Sequence, residues 1–406
     1  MIYVHVPFCR SFCTYCGFYS ETAPDCPASL RRFEAYAGRV CEEAAARRSE
    51  IEGTLDVNTL YIGGGTPSVL PLSILGRIVG ALPFGPYDEF TVEVNPEDIV
   101  EKGLPYLEGL LGLGVNRISM GVQSLDDGIL RWMNRRHDAA RAREAFRLIR
   151  KAGFGNVSID LIFGIPSLTD ESWQATLDEV VGWNPEHISA YQLSVEEGSA
   201  LDNSGFVEAP DELCRRQYDM LCSALRDAGY AHYELSNFAR PGFQARHNSA
   251  YWRRAPYVGL GPGAHSFMVA KEAPEGISSG KTVAARGLVN GRGPLACKDS
   301  GRDEGCGATG SFSDELPSGA VCEIRSWNSE SENYTSECEV LGTEDILTEK
   351  LMLPLRTACG VEAEALAGNP AAERLLEEGA LVRAEGRIRI PEDHFFVCDD
   401  IIRQLI

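Results

Sequence analysis

The feature that most constrains the fold is an alternation, over the first half of the chain, between short β-rich runs and longer amphipathic stretches. Six β-rich runs are separated by gaps long enough for a crossover helix. They span residues 2–6, 59–62, 90–94, 117–122, 158–163 and 187–193. Stretches between them carry apolar residues at three- and four-residue intervals, as helices on a sheet do: 29–50, 138–152 and 170–182. The pattern predicts six β/α units with a parallel sheet, either open and doubly wound or closed into an incomplete barrel.

The second half of the chain changes character twice. One more amphipathic helix is expected over residues 210–229, followed by an irregular, aromatic-rich stretch through 267. Residues 271–320 contain ten Gly and six Ser, which is typical of a flexible insertion. Helical periodicity resumes at Glu344, and residues 381–397 alternate enough for a β-hairpin. We therefore expect three parts: a barrel with its following segment at 1–268, an insertion at 269–322, and a small α+β domain at 323–406.

Charge and cysteine content narrow the class of partner and compartment. The chain has 38 Lys and Arg against 59 Asp and Glu, a net charge of −21, which argues against a nucleic-acid or anionic-membrane partner. No run approaches eighteen apolar residues, so no membrane span is expected. Thirteen cysteines, the first only eight residues after Met1, leave no room for a signal peptide ahead of them. We expect a cytoplasmic protein with reduced thiols.

Three of these cysteines form a candidate metal site. Cys9, Cys13 and Cys16 follow the first predicted strand with the spacing C-x3-C-x2-C. Three thiolates so spaced can each hold one iron of a [4Fe-4S] cluster and leave the fourth iron without a protein ligand. From spacing alone, a zinc site with His5 as fourth ligand, or three unrelated core thiols, remain as alternatives.

The cysteine motif, with Tyr15 before the third Cys, resembles that of the radical S-adenosylmethionine (SAM) family. Four further motifs of that family fall at or just beyond predicted strand ends, where a barrel gathers its ligand-binding residues. They are Gly-Gly-Gly-Thr-Pro at 63–67, Glu-Val-Asn-Pro at 93–96, Gly-Val-Gln-Ser at 121–124 and Asp-Leu-Ile-Phe-Gly-Ile-Pro at 160–166. The resemblance implies an incomplete (β/α)6 barrel that carries a [4Fe-4S] cluster and SAM.

The same resemblance implies the residues that contact SAM. The family pattern carries a role beside the methionine amino group to Gly64, Gly65 and Thr66, and a role beside the carboxylate to Arg135. A guanidinium suits that carboxylate because it donates paired hydrogen bonds. Acceptors suited to the ribose and adenosine are expected from three further positions: Glu93, Gln123 and Asp160.

Within the family, the motifs resemble the branch that contains oxygen-independent coproporphyrinogen III oxidases and HemW-type heme chaperones. The resemblance covers residues 1–268 and 323–360. The oxidases have a long extension before the cluster and a further Cys where this chain has Phe18, and both differences favour the chaperones. The sequence His-Asn-Ser-Ala-Tyr-Trp at 247–252 matches the HNxxYW motif associated with heme binding in the chaperones. It implies His247 as an axial heme ligand, and a neighbouring arginine, Arg253 or Arg254, as a partner for a heme propionate.

These observations lead to one interpretation with two alternatives. A HemW-type chaperone would bind heme and SAM, receive electrons from a donor protein, and pass heme to an acceptor hemoprotein. The first alternative is an oxygen-independent coproporphyrinogen III oxidase, which turns over coproporphyrinogen III under anaerobic reducing conditions. The second is a non-catalytic, zinc-stabilised barrel, which would contain one zinc and no iron.

Overall fold

A nine-stranded sheet lies at the centre of the structure, a computed structural model that describes residues 1–54, 56–83, 85–270, 282–285 and 322–406. Its core is a run of six neighbouring strands, all parallel to one another. In spatial order they are β1 (Ile2–Val6), β4 (Thr59–Gly64), β5 (Glu89–Val94), β6 (Arg117–Gln123), β7 (Val157–Phe163) and β8 (His187–Gln192). The six predicted strands and their parallel arrangement are therefore confirmed.

Helices connect these strands in the way that parallel pairing requires. Between β1 and β8 the structure contains α1 (Pro27–Ala46), α2 (Arg48–Glu52), α3 (Leu72–Ala81), α4 (Pro96–Gly112), α5 (Asp127–Trp132), α6 (Ala139–Ala152) and α7 (Asp170–Trp183). Side chains cap several of them: Asp138 accepts the N–H of Arg141 at the start of α6, and Gly153 ends that helix in the left-handed region. No helix in the described ranges combines the length and apolar character needed to cross a membrane.

The two faces of the sheet differ in polarity, and this decides between the two predicted architectures. The outward face is apolar and packs against the helices, with residues such as Val4, Leu60, Val92, Met120 and Ile159. In-register positions on the opposite face are largely polar: Tyr3, His5, Tyr61, Thr91, Glu93, Arg117, Ser119, Ser158, Asp160, His187, Ser189 and Tyr191. A doubly wound sheet would cover both faces with helices. Here the polar face curves around a cavity, as in the incomplete (β/α)6 barrel that we expected.

Both edges of the parallel core are extended by elements from residues 231–260. Strand β11 (Val258–Leu260) adds in parallel to β1, while β10 (Asn237–Ala239) and β9 (Ala231–Glu234) add antiparallel beyond β8. Three helices accompany them: α8 (Ala200–Ser204), α9 (Asp211–Asp227) and α10 (Arg246–Trp252). The prediction of an irregular stretch after residue 229 was wrong. These strands have three or four residues each, too few to show a periodicity.

The C-terminal part is an α+β arrangement, as predicted. Strand β12 (His265–Ala270) pairs with β14 (Cys322–Asn328), which pairs with β15 (Ser336–Val340), and β15 pairs with β13 (Thr282–Ala285). The predicted 269–322 insertion otherwise lies largely outside the described residues. Helices α11 (Thr343–Leu355), α12 (Pro370–Glu377) and α13 (Cys398–Ile402) surround a sheet of β16 (Val361–Glu362), β17 (Val382–Ala384) and β18 (Arg387–Arg389). The predicted hairpin is present at β17 and β18, but Glu392–Val397 form a 3-10 helix instead of its continuation.

Candidate functional site

A cavity of about 590 Å³ opens at the carboxyl ends of the parallel strands. All three cysteines of the motif line it, together with the seven residues that the resemblance assigned to SAM: Gly64, Gly65, Thr66, Glu93, Gln123, Arg135 and Asp160. Because the carboxyl ends of parallel strands meet on one rim, motifs spread over 150 residues of sequence converge at a single site. The residues predicted to bind heme, His247 and Arg253 or Arg254, do not line this cavity.

The cysteine loop leaves β1 and returns through the short parallel pair β2 (Phe8–Cys9) and β3 (Glu21–Thr22). Two side chains hold its thiols: Thr66 Oγ1 lies 3.3 Å from Cys9 Sγ, and Arg135 Nη1 donates to Cys13 Sγ at 3.3 Å. Burial raises the pKa of Cys9, and it raises the pKa of Cys16 to about 11. Thiols in such surroundings become thiolates when a metal replaces the proton, which fits a cysteine-ligated cluster.

His5, the fourth ligand of the zinc alternative, already has partners for both ring nitrogens. It is buried on β1, where its Nε2 lies 2.8 Å from the carbonyl oxygen of Tyr19 and its Nδ1 lies 3.1 Å from the hydroxyl of Tyr3. Through the first of these bonds the imidazole orients the cysteine loop. Zinc ligation by His5 therefore requires one of the two hydrogen bonds to break.

The glycine loop after β4 is pinned against the cysteine loop by backbone hydrogen bonds. Gly65 N–H donates to the Val6 carbonyl at 2.7 Å, and Thr66 N–H donates to the Phe8 carbonyl at 2.8 Å. A Cβ at Gly65 would lie 2.9 Å from each of those two carbonyl oxygens. Gly64 has a φ of 108°, a conformation that favours glycine. The glycines thus permit a close approach of two backbones beside the cavity.

Two partly buried carboxylates face the cavity, from β5 and β7. Glu93 accepts the hydroxyl of Tyr61 at 2.7 Å and the N–H of Gly64 at 3.2 Å, so it also fixes the glycine loop. Asp160 accepts the hydroxyl of Ser119 at 3.1 Å. Burial raises the pKa of both, that of Glu93 to about 7. Acceptors held in a low-dielectric site in this way form strong hydrogen bonds with the hydroxyl groups of a ligand.

Gln123 and Arg135 complete the rim of the cavity. Gln123 ends β6 at a register shift and has a φ of 66°, an uncommon conformation for a residue with a side chain. Arg135 Nη2 donates to the carbonyl of Gly121 at 2.6 Å. Within the described residues, its buried Nε has no hydrogen-bond partner. Arg135 is therefore part of the site rather than a surface charge, and it keeps one donor for a ligand.

Sequence reasoning missed several residues of this cavity, of which Arg117 matters most. Its side chain is fully buried at the start of β6, lines the cavity, and donates to Thr91 Oγ1 at 3.5 Å. Its charge lowers the pKa values of Glu93 and Asp160 and so opposes the effect of burial. Tyr61, Ser189 and Tyr191 line the same space. The signal that pointed to them was polar alternation inside strands of a parallel sheet, which usually read as continuous apolar runs.

His247 lies in the core at the start of α10, behind the cavity wall. Its Nδ1 is 2.9 Å from Thr59 Oγ1 and its Nε2 is 3.0 Å from the hydroxyl of Tyr251. Burial lowers the pKa of His247 to about 3, so the imidazole is neutral. Both ring nitrogens are hydrogen-bonded, and iron ligation by His247 therefore requires Tyr251 to move. The sequence motif gave no sign of this burial.

A second cavity of about 490 Å³ adjoins the first, and residues of the HNxxYW motif line it. Tyr191 and Asn248 line both cavities, and the aromatic side chains of Tyr251 and Trp252 belong to the second. Further apolar surface comes from Tyr257 and Phe267.

The arginines after the motif differ in their surroundings. Arg254 has its guanidinium bound to Glu323 at 2.6 Å and to Glu349 at 2.8 Å. This argues against Arg254 as the propionate partner, because its charge is already neutralised within the protein. Arg325 lines the second cavity, but its guanidinium is likewise paired, with Glu339 at 3.3 Å and with Glu349. Arg253 is exposed to solvent.

The fold and the first cavity define an α/β-barrel protein with a three-cysteine loop beside a cavity at the carboxyl ends of its strands. The family model described as the radical SAM superfamily matches residues 3–180. The chain is 35% identical to a heme chaperone HemW of Synechocystis sp. and 34% identical to one of Lactococcus lactis, each over 66% of this chain. It therefore belongs to the radical SAM superfamily and, within it, to the HemW-like family.

These matches cover only part of each relative's length. The chain spans 66% of the Synechocystis relative and 69% of the Lactococcus relative. A solved structure of coproporphyrinogen III oxidase (HemN) from Escherichia coli is similar over 100% of this chain and 89% of its own, with a TM-score of 0.71 and 19% identity. This likeness concerns the fold alone.

Proposed function

We propose that this protein is a heme chaperone of the HemW type, which holds a [4Fe-4S] cluster and SAM in the first cavity and heme in the second. The observation that carries the proposal is the contact between the two cavities. Tyr191 and Asn248 line both, and Asn248 belongs to the motif associated with heme. Two adjoining cavities would place bound heme beside the cluster. A protein with three unrelated core thiols would not require a second cavity at this position.

In the first cavity, Cys9, Cys13 and Cys16 hold the cluster, which supplies an electron-transfer centre with one iron that lacks a protein ligand. Arg135 holds Cys13 and directs its remaining donor to the carboxylate of SAM. Glu93 and Asp160 accept hydrogen bonds from hydroxyl groups of the ligand. Arg117 keeps these carboxylates ionised more often than burial alone would allow.

In the second cavity, the aromatic side chains provide the apolar surface that a porphyrin needs, and the volume lies in the range of small-molecule sites. Tyr251 stands between His247 Nε2 and this cavity, since it contacts the one and lines the other. We propose that heme binds against Trp252, and that His247 becomes its ligand when Tyr251 turns away. Arg253, which is exposed and has no carboxylate partner within the described residues, then pairs with a heme propionate.

Anaerobic iron–sulfur reconstitution tests the first cavity. Wild type is expected to hold about four irons per chain, as a [4Fe-4S] cluster requires. A Cys9→Ala/Cys13→Ala/Cys16→Ala variant should hold none, while a Cys26→Ala variant, which alters a nearby cysteine outside the motif, should match wild type. One zinc and no iron in wild type would favour the zinc-stabilised barrel instead.

Heme titration read by absorbance tests the second cavity. Trp252→Ala should weaken heme binding by at least about tenfold, which corresponds to 1.4 kcal/mol. Trp132→Ala is the matched control, because Trp132 packs against Phe206 elsewhere in the barrel. His247→Gln should change the absorbance spectrum of bound heme, whereas Tyr251→Phe should leave that spectrum like that of wild type. Equal binding by the Trp252 and Trp132 variants would show that heme does not occupy this cavity.

The alternative, an oxygen-independent coproporphyrinogen III oxidase, is tested by turnover of coproporphyrinogen III under anaerobic reducing conditions. Turnover by a protein that does not bind heme would overturn the chaperone proposal. As a chaperone, the protein would act in the cytoplasm, where thiols stay reduced, with an electron donor protein and an acceptor hemoprotein as partners. We also propose that the chain has three parts: a barrel with its following segment at 1–268, an insertion at 269–322, and a small α+β domain at 323–406.

A further inference from the structure

A cysteine, a histidine and a glutamate meet at the junction between the barrel and the C-terminal part, and none of the three lines either cavity. Cys222 lies on α9, His232 on β9, and Glu392 begins the 3-10 helix Glu392–Val397. One ligand atom from each lies within 4.8 Å of the others, and among the described residues no other group of this kind is so close. Cys222 and His232 are buried, and Glu392 is partly exposed.

The hydrogen bonding of His232 leaves one nitrogen aimed at this cluster. Its Nε2 lies 3.2 Å from the carbonyl oxygen of Leu235, and because a carbonyl only accepts, Nε2 carries the hydrogen. The side chain is 1% exposed, and within the described chain Nδ1 has no hydrogen-bond partner. It lies 3.7 Å from Glu392 Oε1. A buried ring nitrogen thus faces a carboxylate oxygen at a distance too long for a hydrogen bond, with room for a metal ion to bind both.

The imidazole is held in this orientation by aromatic rings. Phe238 stacks on it with ring centroids 4.0 Å apart, and Phe395 meets it edge-on at 4.9 Å. A histidine whose second ring N–H is bound to a backbone carbonyl is the usual arrangement of a metal ligand, because the carbonyl fixes the tautomer and the ring direction.

We propose that Cys222, His232 and Glu392 bind one Zn²⁺ ion, which links the barrel to the C-terminal part. A thiolate, an imidazole and a carboxylate form a donor set typical of zinc, with the fourth position taken by water at the exposed Glu392 side. Metal–ligand distances of about 2.0–2.3 Å place tetrahedral donors roughly 3.3–3.8 Å apart. The three donor atoms, now within 4.8 Å of one another, therefore approach each other by up to about 1 Å when the ion binds.

Two neighbouring groups are compatible with the ion. Arg226 donates to Glu392 Oε1 at 3.1 Å, and a carboxylate has further lone pairs on both oxygens with which to bind a metal. Cys222 binds zinc as a thiolate, so its proton is released when the ion binds. The site is independent of the cluster and heme sites, and either proposal can fail without the other.

The test uses the full chain in a Cys9→Ala/Cys13→Ala/Cys16→Ala background, so that the cluster loop takes up no metal. Zn²⁺ is titrated against a competing chelator, and Co²⁺ replaces it for spectroscopy. We expect one zinc per chain and a thiolate-to-cobalt charge-transfer band. Cys222→Ser should abolish the band and weaken zinc affinity by at least about 100-fold. Removing only a hydrogen bond that supports a metal ligand already costs about 10- to 100-fold in affinity, and loss of the ligand itself should cost at least as much.

Cys214→Ser is the matched control, because Cys214 is buried on the same helix outside the cluster. It should keep the band and the affinity. Glu392→Gln keeps the test decisive if Cys222→Ser fails to fold, since Glu392 is partly exposed; it should weaken zinc affinity and keep the band. No zinc uptake by the background protein, or equal affinity in the Cys222 and Cys214 variants, would overturn the proposal.

Discussion

A Gly65→Ala substitution perturbs the contact between the glycine loop and the cysteine loop by a single methyl group. The added Cβ would lie 2.9 Å from the carbonyl oxygens of Val6 and Phe8 and 3.0 Å from the Phe8 nitrogen, where ordinary contacts are 3.4–4 Å. All three atoms are backbone, so the two loops must separate by about half an ångström. Overpacking of this kind costs about 1–3 kcal/mol of unfolding free energy.

Gly80→Ala is the matched control for this prediction. Gly80 is exposed on α3, and within the described residues an added Cβ would meet no atom within 4 Å. Alanine in a helix is favoured over glycine by about 0.5–1 kcal/mol, so this variant should be slightly more stable than wild type. Urea unfolding of the iron-free proteins measures both changes. Calorimetric titration of the reconstituted proteins with SAM should show affinity reduced by about tenfold or more in Gly65→Ala alone. Equal stability and equal SAM affinity in the two variants would refute the close approach that we describe.

Two further predictions concern strain and burial. Gln123 has a positive φ, which costs about 1–2 kcal/mol for a residue with a side chain. Gln123→Gly should therefore raise the unfolding free energy by about 1 kcal/mol, while SAM affinity falls because the side chain is lost. An unfolding free energy below that of wild type would contradict the strain at this residue. Burial raises the pKa of Glu234 from 4.5 to about 7. The folded form holds this proton more tightly than the unfolded form. The contribution of Glu234 to stability is therefore full below pH 4.5 and is lost as pH rises from 4.5 to about 7, by up to about 3 kcal/mol. Glu234→Gln should lose that part of the pH dependence, and identical pH profiles by urea unfolding would count against it.

The fold was predictable to the extent that it depends on repeated local pattern. The six parallel strands followed from β-rich runs and amphipathic gaps, because both periods are written in consecutive residues. Strands β9 to β11 were missed, since they are defined by their pairing, of β11 with β1, of β10 with β8 and of β9 with β10, rather than by their own sequences. Glu392–Val397 was included in the predicted hairpin but forms a 3-10 helix, where Phe395 packs against His232.

Site residues in motifs at strand ends could be predicted from the sequence, whereas residues whose role depends on their burial in the fold could not. The seven residues assigned to SAM by resemblance line one cavity with the cysteines, because strand ends share a rim. Arg117 was missed because a single arginine at a strand start looks like a surface charge until the register shows that it faces inward. The environment of His247 depends on Thr59, 188 residues away in sequence, and no local pattern reveals such a contact.

The most direct test of the account is a heme-transfer measurement. Anaerobically reconstituted wild type is loaded with heme, separated from excess, and mixed with a heme-free acceptor hemoprotein while the absorbance spectra of both proteins are followed. The account predicts stoichiometric heme binding by the wild type and movement of that heme to the acceptor. A reconstituted protein that carries its cluster and SAM, binds no heme, and consumes coproporphyrinogen III would contradict it.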